Sequence, residues 1–397
     1  VKHLSFIENI RNIKLFIHNN NQFTEHILTY VTDLTLGYHF NQPLNKLPTN
    51  LIRLTFGHHF NQPINNLPRN LTYLTFDYDF NQSINNLPQN LTHLTLGCRF
   101  NQPVDELPQN LTHLTFGRYF NQPIDNLPRS LKFLKLGYSF NQLINNLPLN
   151  LTHLVITDSF NQKVNNLPPN LTHLTLGDNF NQTIDSLPQT LVCLTIGDSF
   201  DQPINNLPQS LVKLRIGHDF NQPIDQLSKN LRCLVLGDNF NQPVDELPRY
   251  LKHLTFGGHF NQSVDNLPQY LQRLTLGCYF NQPIDNLPQT LTHLTLGDDF
   301  DQSIDNIPRT LTHLAFGNNF NRSIDNLPQT LIRLIVGDCF NKSIDKLPIN
   351  LKYLILGNDF SQPFNNLPPN LTYIYHQNEE FDTVESISKF LVFQKLQ

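Results

Sequence analysis

From Val31 to Leu371 the chain repeats one hydrophobic pattern every 20 residues. Leu51, Leu71, Leu91 and their equivalents mark position 1, and apolar residues then fall at positions 1, 4, 6, 10, 14 and 17 of each copy. Positions 4 and 6 alternate with polar positions 3 and 5, as Leu94 and Leu96 do around His93 and Thr95. Period two is the mark of a short half-buried strand. Phenylalanine recurs at position 10 from Phe40 to Phe360, through 17 copies without one inserted residue. Such strict register means that every copy makes the same contacts with its neighbours. The pattern predicts an all-β-rich solenoid in which one copy cannot bury its apolar face alone.

Proline decides what lies between the strands. All 27 prolines sit at position 18 (sixteen), position 13 (nine) or position 19 (Pro169 and Pro369). Proline has no N–H and biases the residue before it toward extended backbone. Short parallel strands are therefore expected at positions 3–5, with extended or polyproline-like segments on the other face and little helix. Fifteen of the 16 glycines occupy position 7, where Asp77 and Thr157 are the exceptions. A β-branched Thr rarely accepts positive φ, so close packing at a tight turn is the expected demand. Position 11 is Asn in most copies and Asp at Asp201 and Asp301. An amide that both donates and accepts can satisfy turn backbone from copy to copy.

Both ends leave the pattern. Residues 1–30 hold two decayed strand-like runs, Val1–Phe6 and Ile10–Leu15, and are expected to form an N-terminal cap. Residues 31–375 carry the repeats. Residues 376–397 are expected to form a C-terminal cap. There Asp382-Thr383-Val384-Glu385 has capping-box spacing ahead of Ile387, Phe390, Leu391 and Phe393. That predicts a short amphipathic helix, with a final strand as the rival.

The recurring Phe-Asn-x-x-Ile-x-x-Leu-Pro string, for example Phe60-Asn61, Ile64 and Leu67-Pro68, resembles the FNIP repeat family over about residues 31–375. The Leu-Pro-x-x-Leu-x-x-Leu-x-Leu stretch also looks like the short leucine-rich repeats of bacterial effectors. These resemblances imply a leucine-rich-repeat-like right-handed coil and an origin in social amoebae or in giant viruses of amoebae. Many members of the family carry an F-box before the repeats, which implies substrate-recruiting adaptors of ubiquitin ligases. Residues 1–30 are too short and too strand-like to be an F-box. Copies of 20 residues are also shorter than many FNIP repeats.

Charge narrows the list of partners. The chain has 27 Lys+Arg against 32 Asp+Glu, a net of −5. That argues against nucleic-acid binding by phosphate neutralisation. No apolar run is long enough to span a bilayer. The five cysteines form no framework: Cys193 and Cys233 occupy equivalent places two copies apart, beyond disulfide reach if strands stack at about 4.8 Å. Free thiols favour a reducing compartment, so the protein is expected inside the cell, in the (host) cytoplasm. Eleven Asn-X-Ser/Thr sequons are read as by-products of the repeat.

Candidate chemistry is sparse. Position 3 is His seven times, with adjacent pairs His93/His113, His153/His173 and His293/His313 expected roughly 5 Å apart. Each pair offers two ligands where a metal needs three or four. Acids recur along the stack, as Asp178 and Asp185 do, whereas an active site needs a unique constellation. No catalytic, cofactor-binding or metal residue is therefore assigned, and the protein is not expected to be an enzyme.

The exposed positions 2, 3 and 5 usually read Thr, His, Thr, and the copies that break this rule are the candidate partner site. They are Lys132, Phe133 and Lys135; Lys213 and Arg215; Arg232, Cys233 and Val235; Arg333 with Ile332 and Ile335; and Tyr353 with Lys352 and Ile355. Aromatic and arginine side chains are the usual hot-spot types. Phe133, an exposed ring between two lysines, is the expected centre. The chain is thus read as a protein–protein interaction scaffold with a partner on its concave strand face. The alternative is a structural or assembly part, of a virion or fibre, that uses a rod of about 80 Å and associates with itself. A Thr/His array facing ice or carbohydrate is weakened by His where a flat Thr-x-Thr array needs Thr.

Overall fold

A computed structural model describes residues 13–17, 31–44, 47–376 and 379–381. The chain divides into two compact units, Val1–Gly197 and Asp198–Gln397. Each is a parallel β-solenoid with one short strand per 20-residue turn, and no described residue is helical. The first unit starts with β1 (Ile13–Ile17) and β2 (Val31–Leu36) and continues, one strand per copy, from β3 (Arg53–Phe56) to β10 (Cys193–Ile196). β1 lies parallel to β2, so the strand expected at Ile10–Leu15 occurs slightly later in the chain. The run Val1–Phe6 lies outside the described residues. The second unit runs from β11 (Lys213–Ile216) to β19 (Tyr373–His376). There β20 (Glu379–Phe381) turns back antiparallel on β19. The helix expected from Asp382 onward lies outside the described residues.

Pairing is in register, so equivalent positions stack on one another: His93 faces His113, Leu94 faces Leu114 and Thr95 faces Thr115. The same inward side chains therefore meet in every turn. In the copy beginning at Leu91, Leu91, Leu94, Leu96, Phe100, Val104 and Leu107 are all buried. Neighbouring position-10 rings lie nearly parallel, 6.1 Å apart for Phe100 and Phe120 and for Phe300 and Phe320. Where position 6 is also Phe it closes on this column, at 3.7 Å for Phe116 and Phe120.

The polar positions close the backbone circuit. The N–H of position 1 donates to the position-18 carbonyl across the 19–20 turn, as Leu91 does to Pro88 at 3.1 Å. Ser228 replaces proline there, is buried, and uses its hydroxyl to donate to the Gln209 carbonyl at 2.9 Å. At position 11 the side-chain oxygen accepts the position-11 N–H of the next copy and the Nε2 of the following Gln. Asn61 Oδ1 accepts from the Asn81 N–H at 2.9 Å and from Gln82 at 3.1 Å. Only the acceptor is needed, which explains Asp201 and Asp301: each accepts the next N–H, from Asn221 and Asn321, at 3.0 Å. The position-11 residues, Asn181 among them, are part-exposed or exposed.

Position 7 is governed by packing. No glycine has positive φ, and a Cβ on Gly277 would overlap the Gly257 carbonyl of the preceding copy. Where Thr157 stands instead, the next residue, Asp158, takes φ of 36°, a region that L-residues seldom enter.

Candidate interaction surface

The strand face is built on a Thr-His pair at positions 2 and 3. The Thr92 hydroxyl donates to the Thr72 carbonyl of the preceding copy at 3.1 Å. Its oxygen lies 2.8 Å from His93 Nδ1. A hydroxyl has one proton and the carbonyl takes it, so the ring nitrogen must be the donor. The proton is thereby fixed on Nδ1, and Nε2 is left as an acceptor. The same geometry recurs at Thr112-His113, Thr152-His153, Thr292-His293 and Thr312-His313. Burial, and then the charges of His113 and Arg53, hold His93 below the ordinary imidazole value. His113, His253, His293 and His313 are lowered in the same way, burial first. At these five places the neutral imidazole is thus favoured.

In the first unit these rings form a column. Tyr73, His93 and His113 stack at 4.3 and 4.2 Å, and His153 stacks on His173 at 4.2 Å. Phe133 sits between, 5.8 Å from His113 and 6.3 Å from His153. Arg53 closes the column, its guanidinium 3.8 Å from the Tyr73 ring centre and 3.5 Å from Asp33. This corrects the expectation of an exposed Phe133: the ring is half-buried because its neighbours in the column cover it. Lys132 and Lys135 beside it are exposed. The same two copies that bring His93 and His113 to 4.2 Å hold Phe100 and Phe120 at 6.1 Å.

The other candidate residues belong to the second unit and fall in two groups. Lys213 and Arg215 on β11 are exposed and face Cys233 and Val235 on β12 (Cys233–Val235). Arg333 on β17 (Arg333–Ile335) faces Tyr353 on β18 (Tyr353–Ile355). Tyr353 lies tilted beside Tyr373 at 6.2 Å. The four strands from β13 (His253–Thr255) to β16 (His313–Ala315) separate the two groups. Arg232 folds back, donating to the Asn230 and Leu231 carbonyls. Sequence reasoning passed over Lys252 and Arg273, exposed on the same face between those groups. The sign of the charge at positions 2, 3 and 5 was the signal that could have found them.

It also passed over the turn at positions 8 and 9. His58, His59 and Asp79 bring three potential metal-ligand atoms within 4.8 Å of one another. These atoms already serve each other: His59 Nδ1 lies 2.8 Å from Asp79 Oδ2, and Arg99 pairs with Asp79 Oδ1 at 3.3 Å. The hydrogen bond from His59 is the main cause of the lowered Asp79 pKa. His58 is sandwiched between Tyr38 and Tyr78, 4.6 Å from each. The arrangement reads as a closed ion-pair and ring cluster. In the second unit the same turn is acidic, and His218 is raised by its hydrogen bond to Asp219 and by the charges of Asp219, Asp238 and Asp198. All five cysteines are free.

The profile of the FNIP Repeat family matches residues 40–154, 160–219 and 243–375 in overlapping stretches. Among solved structures the chain is similar to CroV588, described as a novel circular LRR protein, at 39% identity and a TM-score of 0.73. That likeness covers 92% of this chain but only 64% of CroV588. YopM from Yersinia enterocolitica shares the fold at 20% identity and a TM-score of 0.56, over 93% of this chain and 92% of its own. No curated protein sequence matches the chain.

Proposed function

The chain belongs to the FNIP repeat family, and from that premise we propose that it is a non-enzymatic scaffold holding a protein partner on its strand face. One observation carries the reading. The inward positions keep a single chemistry through the stack, whereas positions 2, 3 and 5 change from Thr-His-Thr to Lys-Phe-Lys at Lys132, Phe133 and Lys135 and to Ile-Arg-Ile around Arg333. Variation confined to the outward side chains is what a recognition surface on a fixed frame requires. On this reading the strand side is the inner, concave side, where in-register pairing lets a partner touch several copies at once.

The finer reading is a substrate-recruiting adaptor for a ubiquitin ligase, and it rests on the family resemblance. The alternative, a structural or assembly part, would use the same stack to associate with itself. We place the protein inside the cell because its cysteines form no disulfide. No helix among the described residues is long and apolar enough to cross a membrane.

Affinity capture from cells tests the scaffold. The wild-type chain is compared with Phe133→Ala/Lys135→Thr in the first unit and Arg333→Thr/Tyr353→Thr in the second. Loss of a specific partner with unchanged circular dichroism is expected for at least one pair. Full retention by both would end the strand-face reading. Concentration-dependent sedimentation, with nothing captured, would favour the assembly part.

A further inference from the structure

The two signs of charge are segregated on the second unit. Its exposed strand-face cations are Lys213 and Arg215 on β11, Lys252 and Arg273 two and three turns on, and Arg333 and Lys352 further on. No Asp or Glu occupies position 2, 3 or 5 of these copies, although acids outnumber bases in the whole chain by 32 to 27. None of these six cations makes an ion pair or a side-chain hydrogen bond among the described residues. Off the face two of the unit's cations do find acids: Arg322 meets Asp301 at 3.0 Å and Lys346 meets Asp325 at 3.1 Å. Strand preference alone does not produce this, because it depletes Lys as well as Asp and Glu. Unpaired like charges along one sheet repel one another, and a ligand of opposite sign relieves that repulsion.

We propose that the strand face of the second unit is a receptor for an acidic polypeptide segment, whose carboxylates meet Lys213, Arg215, Lys252, Arg273, Arg333 and Lys352. This rests on the scaffold reading above and names the partner's chemistry. The imidazoles between the cations select a polypeptide over a phosphate polymer. His293 and His313 keep their protons on Nδ1, against Thr292 and Thr312, and offer Nε2 as an acceptor. A polypeptide brings carboxylates for the cations and backbone N–H donors for those acceptors. A phosphate backbone brings acceptors alone. The acidic turn edge of the same unit, with Asp198, Asp219 and Asp238 around His218, adds repulsion against a long polyanion that overruns the face.

The test uses the full chain at about physiological ionic strength, where only close charge contacts survive screening. The probes are a short Glu/Asp-rich peptide, its Gln/Asn counterpart, a single-stranded oligonucleotide, and vesicles containing phosphatidylserine. The face variant is Lys213→Glu/Arg215→Glu/Lys252→Glu. The control is Lys229→Glu/Arg309→Glu/Lys342→Glu, which makes the same change of net charge off the face. Circular dichroism checks that both fold. The acidic peptide is expected to bind the wild type and the control alike, and the face variant at least about tenfold more weakly. Equal binding of the neutral peptide would overturn the proposal, as would equal weakening by the control. Tighter binding of the oligonucleotide or the vesicles would also overturn it, as would self-association that the face variant abolishes. A cell-derived partner that is lost on strand-face substitution, yet held equally well in high salt, would leave the scaffold standing and end this inference alone.

Discussion

The strand faces of the two units differ although their interiors do not. In the first unit rings follow one another at position 3 from Tyr73 to His173, and the Arg53 guanidinium is spent on Tyr73 and Asp33. In the second, Lys213, Arg273 and Arg333 interrupt the rings and stay unpaired among the described residues. The turn edge inverts this contrast, with Tyr38, His58, Tyr78 and Arg99 in the first unit and a series of aspartates in the second. Inward leucines and phenylalanines are buried against one another and against their equivalents above and below, so they tolerate little change. Outward side chains meet solvent and their own column, and can diverge without disturbing the frame. Recognition can therefore be rewritten copy by copy.

The sharpest break in the frame itself is at position 7. Glycine is replaced there at Asp77 and Thr157 in the first unit and nowhere among the second unit's repeats. Gly277→Thr should destabilise the second unit by about 3 kcal/mol or more, because the new Cβ meets the Gly257 carbonyl. Thr157→Gly should be neutral or stabilising, since it frees Asp158 from its positive φ. Urea melts with hydrogen exchange resolved by unit would report both. A neutral Gly277→Thr would show that the stack gives way there.

Next in size are the position-11 acceptors, where the units should behave alike. Asn101→Leu and Asn261→Leu each orphan the next copy's N–H and take a side-chain acceptor from the following Gln amide. About 1–3 kcal/mol is expected for each, and Asn261→Asp should cost much less. Unequal losses would mean that the two ladders are not equivalent.

The ring column predicts a smaller difference. Phe133→Ala removes a ring with neighbours on both sides and should cost about 0.5–1.5 kcal/mol. Tyr353→Ala should cost less, since Tyr353 is exposed and only tilted against Tyr373. The reverse order would mean that the second unit's rings, not the first unit's, stiffen the face.

Acid should have the smallest effect. Five strand-face histidines have lowered pKa values when folded. As pH falls through the unfolded value near 6.5, the unfolded chain takes up protons first. Stability is full above that pH and declines until the folded rings protonate too. A drop of about 1–3 °C in melting temperature is expected, and Gln at His293 and His313 should reduce it. Salt should shrink the effect more at His253, where Arg273, Lys252 and Lys213 contribute, than at His93. An acid-stabilised chain would contradict the lowered values.

Much of the frame was legible because the period is strict. Alternation at Leu94 and Leu96 placed the strand, proline at positions 13 and 18 excluded convex helices, and Thr157 revealed that position 7 is about packing. Less of the surface was legible. Phe133 read as exposed because its neighbours' hydrophilic character hid the fact that imidazoles stack on a phenyl ring. The cluster of His58, His59 and Asp79 was missed because attention fell on position 3, although their places at positions 8 and 9 of consecutive copies stood in the sequence.

The sequence by itself determined the parallel solenoid, its inward set and the sign of the charge at each outward position, since a fixed 20-residue translation carries each residue onto its equivalent. Only the tertiary structure decided which of those outward groups satisfy one another. Whether Arg53 finds Asp33 while Arg273 finds no ion-pair partner among the described residues, and whether Thr92 or its histidine gives up the proton, depend on contacts between copies. Those contacts are set by three-dimensional distances of a few ångströms, which spacing along the chain does not encode.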